Sequence, residues 1–533
     1  MASVKPSPSR SFWQPLDRAA IALMLVLMVL IALILLKGDR AAPRVRDFSW
    51  QDHSVGAGDI AFTLTFSRPM NHRSVENNLR IEPPLSGRVS WAGRRMAYTL
   101  NNPLPYGTSF EVSLQGAYDL FSDPDDRRTQ LSPFVGQFQS RDRVFVYLGI
   151  EGEERGRLVM QNLTHRSRTI LTPDHLTVLD FRPYPNSDRI LFSAVERSDT
   201  SNVAGPTIYT VTTGIAYDVP EQFFDNDTQR PQPQESAGVI REVLGNDNYQ
   251  NLKFDLSADG QTIVVQRISR TDLADYGLWV IREGEEAEPL PGEPGGDFLI
   301  TPDSEAIAVL QGEGTAIRPI EEEPSPEDSA SSAESAPEPL DFLPQFGRVL
   351  SFSADGSTAA MVQFNPNFTE SLFIVTNQGD QTELLTTNDG GKVRMAQFNA
   401  QKTLLYALIT RAFRLSDPNA NEAAIVPGEI YVEKPYLVVL SLDSGDRTDL
   451  LELPIQQDVQ MSLSPDNLSI LFDQVTPSAE DAADPNVLRG QDGRAIVDSQ
   501  LWLLPLSQTD DGVPVPLEPE PLLLPGLRPR WLP

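Results

Sequence analysis

The chain has 533 residues, a net charge of -31 and no cysteine. The acidity, with no basic stretch longer than Arg94-Arg95 or Arg127-Arg128, excludes a phosphate-neutralising surface for nucleic acid. The missing cysteines exclude disulfides, thiolate metal ligands and cysteine nucleophiles. The four histidines, His53, His72, His165 and His175, lack the spacing of a metal motif.

Residues 1–18 form a short polar tail. Residues 19–36 (AAIALMLVLMVLIALILL) are then apolar without interruption. At 1.5 Å per residue this helix would span about 27 Å, close to the hydrocarbon thickness of a bilayer. Lys37, Gly38, Asp39 and Arg40 follow directly, so the small-residue cleavage site of a signal peptide is absent and an uncleaved transmembrane helix is expected. Lys5, Arg10 and Arg18 precede it, and Lys37, Arg40, Arg44 and Arg46 follow. The flanking charges therefore do not decide the orientation.

Alternation of period two begins after the span. Ile60, Phe62, Leu64 and Phe66 share one face of a strand that Ser67-Arg68-Pro69-Met70-Asn71 ends. Pro69 lacks the N–H a strand interior needs, and Met70 reads as a core residue. Short runs follow at Val89 and Trp91, Tyr98 and Leu100, Phe110 to Leu114, and Phe134 to Phe138. Short strands spaced by turns over 43–140 describe a β-sandwich. The run Ile60 to Asn71 with its F-S-x-P-M core, Gly87 to Trp91, Leu104 to Phe110 and Gly116-Ala117-Tyr118-Asp119 resemble the bacterial Ig-like domain of the S-layer-protein type. The resemblance implies an extracytoplasmic spacer or adhesive module. It therefore places the soluble part outside the cytoplasm, in the periplasm or on the cell surface.

From 141 to 533 the chain repeats itself. Phe254 to Val265, Phe298 to Val309, Leu350 to Met361, Met395 to Tyr406 and Met461 to Phe472 each read as strand, tight polar turn, apolar strand. Leu179 to Phe192 is a looser copy. In the S-x-D-G turn, Ser and Asp bond the backbone and Gly or Asn accepts positive φ. Third strands follow, as at Leu278 to Ile281 and Leu372 to Val375, and fourth strands end in leucines, as at Leu384-Leu385 and Leu450-Leu451. Four strands per repeat describe a β-propeller blade. Val144 to Thr172 supplies three strands without a preceding turn motif, and Leu527 to Pro533 reads as the innermost strand that completes them. That closure gives seven blades, with six or eight as alternatives. The pattern resembles the TolB-like, WD-repeat-like propeller family, a resemblance that speaks to fold and implies no reaction.

The fold class expected is thus all-β: a transmembrane helix, an Ig-like sandwich and a propeller closed by the C-terminal strand. The stretch 321–339 has many acids, Ser and Pro, no base, and is expected to be a disordered insertion. Long connections at about 197–206, 411–434, 476–499 and 222–248 are expected to emerge on one face of the ring, where binding usually sits. They carry Asp225, Asp227, Asp417, Glu422, Glu429, Asp481, Asp484 and Asp492, candidate binding-face residues, with Glu235, Asp247, Glu433 and Glu480 nearby. A carboxylate ring suits a hard cation, but no calcium-loop spacing is present, so neither metal nor cofactor is expected. No G-x-S-x-G, P-loop or G-x-G-x-x-G occurs. The reading is a membrane-anchored extracytoplasmic scaffold binding a protein or glycan, not an enzyme. A carbohydrate-active enzyme using loop carboxylates and a structural envelope component are the alternatives.

Overall fold

The computed structural model describes residues 15–37, 42–120, 130–197, 205–215, 235–293, 295–312, 314–320, 341–388, 390–414, 431–456, 458–477, 495–508 and 513–533. The chain divides into two compact units. One comprises 1–52, 61–99 and 110–137, and the other 53–60, 100–109 and 138–533. The division is interleaved, where the sequence suggested a single break near 140.

Helix Pro15–Lys37 covers the expected membrane span. Its side chains are described for 19–31, and every one of these is exposed. Among the described residues no helix is long and apolar enough to cross a membrane. The expected span 19–36 extends beyond those side chains and is not shown.

The first unit contains a sheet in the order Val45–Phe48, Ala61–Phe66, Arg95–Leu100, Gly87–Ala92. Strict alternation sends Phe62, Leu64 and Phe66 inward, each without exposed surface. Ile60, expected on that face, precedes the strand and is exposed. Phe48 meets Phe62 edge-on at 5.4 Å and Phe134 at 6.0 Å. These contacts tie the first sheet to the strand Phe134–Ser140 of a second sheet, whose Leu79–Glu82 pairs with Ser109–Leu114. Met70 is fully buried, as its core reading requires. A short helix, His72–Asn78, was not anticipated. Asn71 caps it by accepting from the Ser74 N–H at 3.0 Å.

The second unit is a β-propeller of antiparallel sheets. Five sheets run in simple chain order from inner to outer strand. Their inner strands are Leu176–Pro183, Tyr249–Leu256, Phe298–Ile300, Arg348–Phe352 and Val393–Phe398. The next sheet begins with Met461–Leu463, Ser469–Pro477 and Ile496–Gln508. It then shares the strand Glu520–Trp531 with Val144–Gly149, Leu158–Asn162 and Ser167–Ile170. In that shared strand Pro521 and Pro525 face Trp502 and Gln500, whereas Leu527 and Trp531 face Leu148 and Phe145. One strand therefore joins the last repeat to the first strands of the unit, which removes an exposed sheet edge. Apolar cores lie between successive sheets. For example, Val264 and Val280 of one sheet pack with Phe298, Ile307 and Val309 of the next.

The turns between first and second strands follow the motif chemistry. The Ser257 hydroxyl donates to Asp259 and accepts the Thr262 N–H at 2.9 Å, while Asp259 accepts the Gln261 N–H at 2.9 Å. Ser353 with Asp355, and Ser464 with Asp466, repeat the arrangement. Positive φ falls on Gly260 and Gly356, but also on Ser304, Lys402 and Asn467.

The segment 222–248 does not join two sheets, as was expected. Ile240–Leu244 is the fourth strand of its own sheet, paired with Thr207–Thr212. Its half-exposed pattern hid it in the sequence. The connection 216–234 therefore leaves a third strand and returns as a fourth. The third strand ends, and the fourth begins, at the end of the ring that carries the tight first-to-second turns. The insertion 321–339 also connects a third strand, Gly314–Pro319, to a fourth, Asp341–Leu343; its residues lie outside those described. The connections after Arg189–Glu196, Leu404–Arg414 and Ser469–Pro477 leave from the opposite end.

Candidate functional site

All eight candidate carboxylates, Asp225, Asp227, Asp417, Glu422, Glu429, Asp481, Asp484 and Asp492, lie outside the described residues. Of the nearby acids that are described, Glu433 serves the fold. Its carboxylate is met by Lys392 at 3.1 Å, Arg394 at 2.6 Å and the Thr410 hydroxyl at 3.2 Å. Burial resists its ionisation, but Arg394 and Lys392 outweigh that and hold the carboxyl below its ordinary range. Glu235 is paired with Arg241. Among the described residues no group of three or more His, Asp and Glu could hold a metal ion.

The groups the structure does bring together lie on the inner strands of the ring. In every repeat the residue two positions before the tight turn points along the same level of the inner strands. Register defines that level: Ser257 N–H bonds Thr262 O, Asn399 N–H bonds Leu404 O, and Leu532 N–H bonds Val144 O in the equivalent place. The residues at this level are Arg182, Asp255, Leu299, Ser351, Gln397, Ser462 and Arg530. Three of them clasp the next inner strand by accepting a backbone N–H. Asp255 takes Ile300 at 3.0 Å, Gln397 takes Leu463 at 2.8 Å and Ser462 takes Trp531 at 3.1 Å. A channel wall built this way is held by bonds that cross between sheets, where no ladder hydrogen bonds exist.

Charge is unevenly spread around the wall. Arg182 bridges Asp180 at 3.0 Å on its own strand and Asp255 at 3.5 Å on the next. Burial disfavours the charged form of Asp180, yet Arg182, Arg530 and Arg528 together hold its carboxyl below the ordinary value. Lys253 pairs with Asp297 and donates to Phe298 O at 2.8 Å. Arg348 reaches Val393 O at 2.6 Å and Glu370 at 3.7 Å. On the shared strand, Arg528 donates to Leu179 O. Burial and the neighbouring Arg182 push Arg530 down to about 10.

Asp473 anchors the shared strand from behind. It has no exposed surface and accepts the Gln460 and Arg528 N–H groups, each at 2.7 Å. Burial outweighs those bonds and raises its carboxyl to about 6. Arg528 itself takes a left-handed φ of 51° where the strand changes partner.

Away from the channel, one hairpin projects. Leu404–Arg414 and Tyr431–Ser441 pair over their whole length, to Arg414 opposite Tyr431. The inner strand Val393–Phe398 covers only Leu405 to Ile409, and the outer strand covers only Tyr436 to Leu440. Residues 410–414 and 431–435 thus form a two-stranded ribbon beyond both neighbours. Arg411, paired with Asp449 at 3.2 Å and stacked over Tyr436, stiffens its base. The corresponding second strands of the other four-stranded sheets have 6 to 8 residues against 11 here.

No protein-family model matches the chain, and no curated protein matches it. Solved structures similar to it include TolB-type propellers. TolB from Acinetobacter baumannii is 14% identical, covering 71% of this chain and 80% of its own, at a TM-score of 0.36. An oligogalacturonate lyase from Vibrio parahaemolyticus is 12% identical over 70% and 92%, at 0.39. The hydrazine synthase of Kuenenia stuttgartiensis is 10% identical over 61% and 75%, at 0.34. Likenesses this distant assign no residue and no activity.

Proposed function

We propose that the chain is a membrane-held, non-catalytic binding scaffold of the cell envelope. An anchor over 19–36 carries an Ig-like spacer and a seven-bladed propeller, and the ribbon 410–414/431–435 presents a surface to a protein or glycan partner. The helix Pro15–Lys37 carries this reading. Leu23 and Met24 are 61% and 65% exposed, and no described side chain between 19 and 31 is polar or covered. A helix apolar on every side is not stable against water, so a bilayer is the cover its chemistry asks for. The propeller supplies what a scaffold needs, a rigid ring of sheets on which surface segments can be mounted. Carbonate extraction of membranes tests the anchor. The full chain should stay in the pellet, and a Leu25→Arg, Leu27→Arg variant should move to the supernatant. Release of the unaltered chain by carbonate would remove the anchored reading.

A further inference from the structure

A cavity of about 210 Å³ is lined by Arg528, Arg530 and Trp531 of the shared strand together with Gln397, Gln460 and Ser462 of neighbouring inner strands. One water centre needs only about 10–15 Å³, so the cavity has room for a small polar guest. Two guanidinium groups, Arg528 and Arg530, line it, and so does Pro533, whose carbonyl oxygen accepts from Arg141 and Ser187. The Arg530 guanidinium makes no hydrogen bond or ion pair among the described residues, and its near neighbour is the Phe181 ring, 5.8 Å from Cζ. The two carboxylates whose charge it feels, Asp180 and Asp255, are bonded to Arg182. Gln397 spends its carbonyl on the Leu463 N–H, and its NH₂ group has no acceptor among the described residues. Ser462, the hydroxyl on this wall, accepts from Trp531 N–H and keeps its own proton to donate.

Unspent donors around a half-buried guanidinium define the complement. A planar fork of N–H groups matches two oxygens of one group. The chain's net charge of -31 gives no general attraction for anions, so an anion held here is held by local geometry. We infer that this cavity binds a small oxyanion, a carboxylate or a phosphate-type group, through Arg530 with the Gln397 amide and Ser462 hydroxyl beside it. The inference is independent of the anchor and of the partner at the ribbon.

The test uses the full chain in detergent. Phosphate, acetate and succinate are titrated separately against chloride at matched ionic strength, with binding heat and Tm as readouts. At least one oxyanion should bind saturably at one site per chain and raise Tm. The phosphate and carboxylate arms distinguish the two sources of the group. Arg530→Gln should weaken that binding at least tenfold while the unliganded protein stays folded, and Arg530→Lys, which keeps charge but loses the fork, should fall between. Should Arg530→Gln fail to fold, modification of the unaltered protein by phenylglyoxal is mapped by mass spectrometry, and saturating oxyanion should protect Arg530 several-fold. Responses indistinguishable from chloride, equal binding by Arg530→Gln, or modification of Arg530 at an unchanged rate would each overturn the inference.

Discussion

Asp180 and Asp473 belong to the same ring and respond to it in opposite directions. Asp180 is surrounded by Arg182, Arg528 and Arg530, and its carboxyl is held down. Asp473 accepts two backbone N–H groups and has no ion pair among the described residues, and burial, only partly offset by those bonds and the charge of Arg528, pushes it up to about 6. Depth inside the ring does not decide a carboxyl's charge. Cationic neighbours do, because a peptide N–H carries only a partial charge and offsets less desolvation than a guanidinium. The same reasoning runs in reverse for Arg530, a cation whose nearest carboxylates are committed to Arg182.

The largest effect should come from making the first sector resemble the second. Arg182→Met leaves Asp180 and Asp255 without their shared cation, and Asp255 keeps only 12% of its side chain exposed. The cost should be about 3 kcal/mol, read by urea unfolding of the detergent-solubilised chain. A loss below about 1 kcal/mol would show that channel water already does the work assigned to Arg182.

Asp473→Asn comes next. The amide can accept one of the two N–H groups but meets the other with a donor. About 1–3 kcal/mol should be lost, together with faster hydrogen exchange at Arg528. The pH dependence sharpens the comparison. An acid at about 6 in the folded state and about 3.9 unfolded holds its proton longer when folded. Its contribution to stability is therefore complete below about pH 4 and is lost as pH rises through 6. The unaltered chain should show this falling component and Asp473→Asn should lack it.

The smallest effect is expected for Arg528→Gln. Its charge acts on both carboxyls without a direct ion pair to either, so Asp180 and Asp473 should each shift upward while stability changes by about 1 kcal/mol or less.

Much of the propeller was legible because its signals are local. Ser257 with Asp259 and Ser464 with Asp466 announce turns from four or five adjacent residues, and Leu527 to Trp531 read as an inner strand from its isolated apolar pattern. The channel groups were not legible. Asp180, Arg182, Asp255 and Arg530 sit at alternating positions of strands, where polar residues ordinarily face solvent. Only closure of the sheets into a ring turns that face inward and makes one repeat's Arg182 the partner of the next repeat's Asp255. The cue available in sequence was positional: each lies two residues, or four for Asp180, before the turn or its equivalent. The misplaced connection has the same origin. Ile240–Leu244 carries Arg241 and Glu242 on an outer, half-exposed strand and so reads as loop until Thr207–Thr212 is there to pair with it.

The scaffold reading is tested most directly by photo-crosslinking in cells. A photoreactive residue is placed in the full chain at Arg411 or Lys434 on the ribbon, and separately at Thr382 on the exposed outer strand Gln381–Thr386. Both ribbon positions should yield one common adduct that Thr382 does not. The same adducts from all three positions, or none from the ribbon, would contradict the assignment of that ribbon as the binding surface.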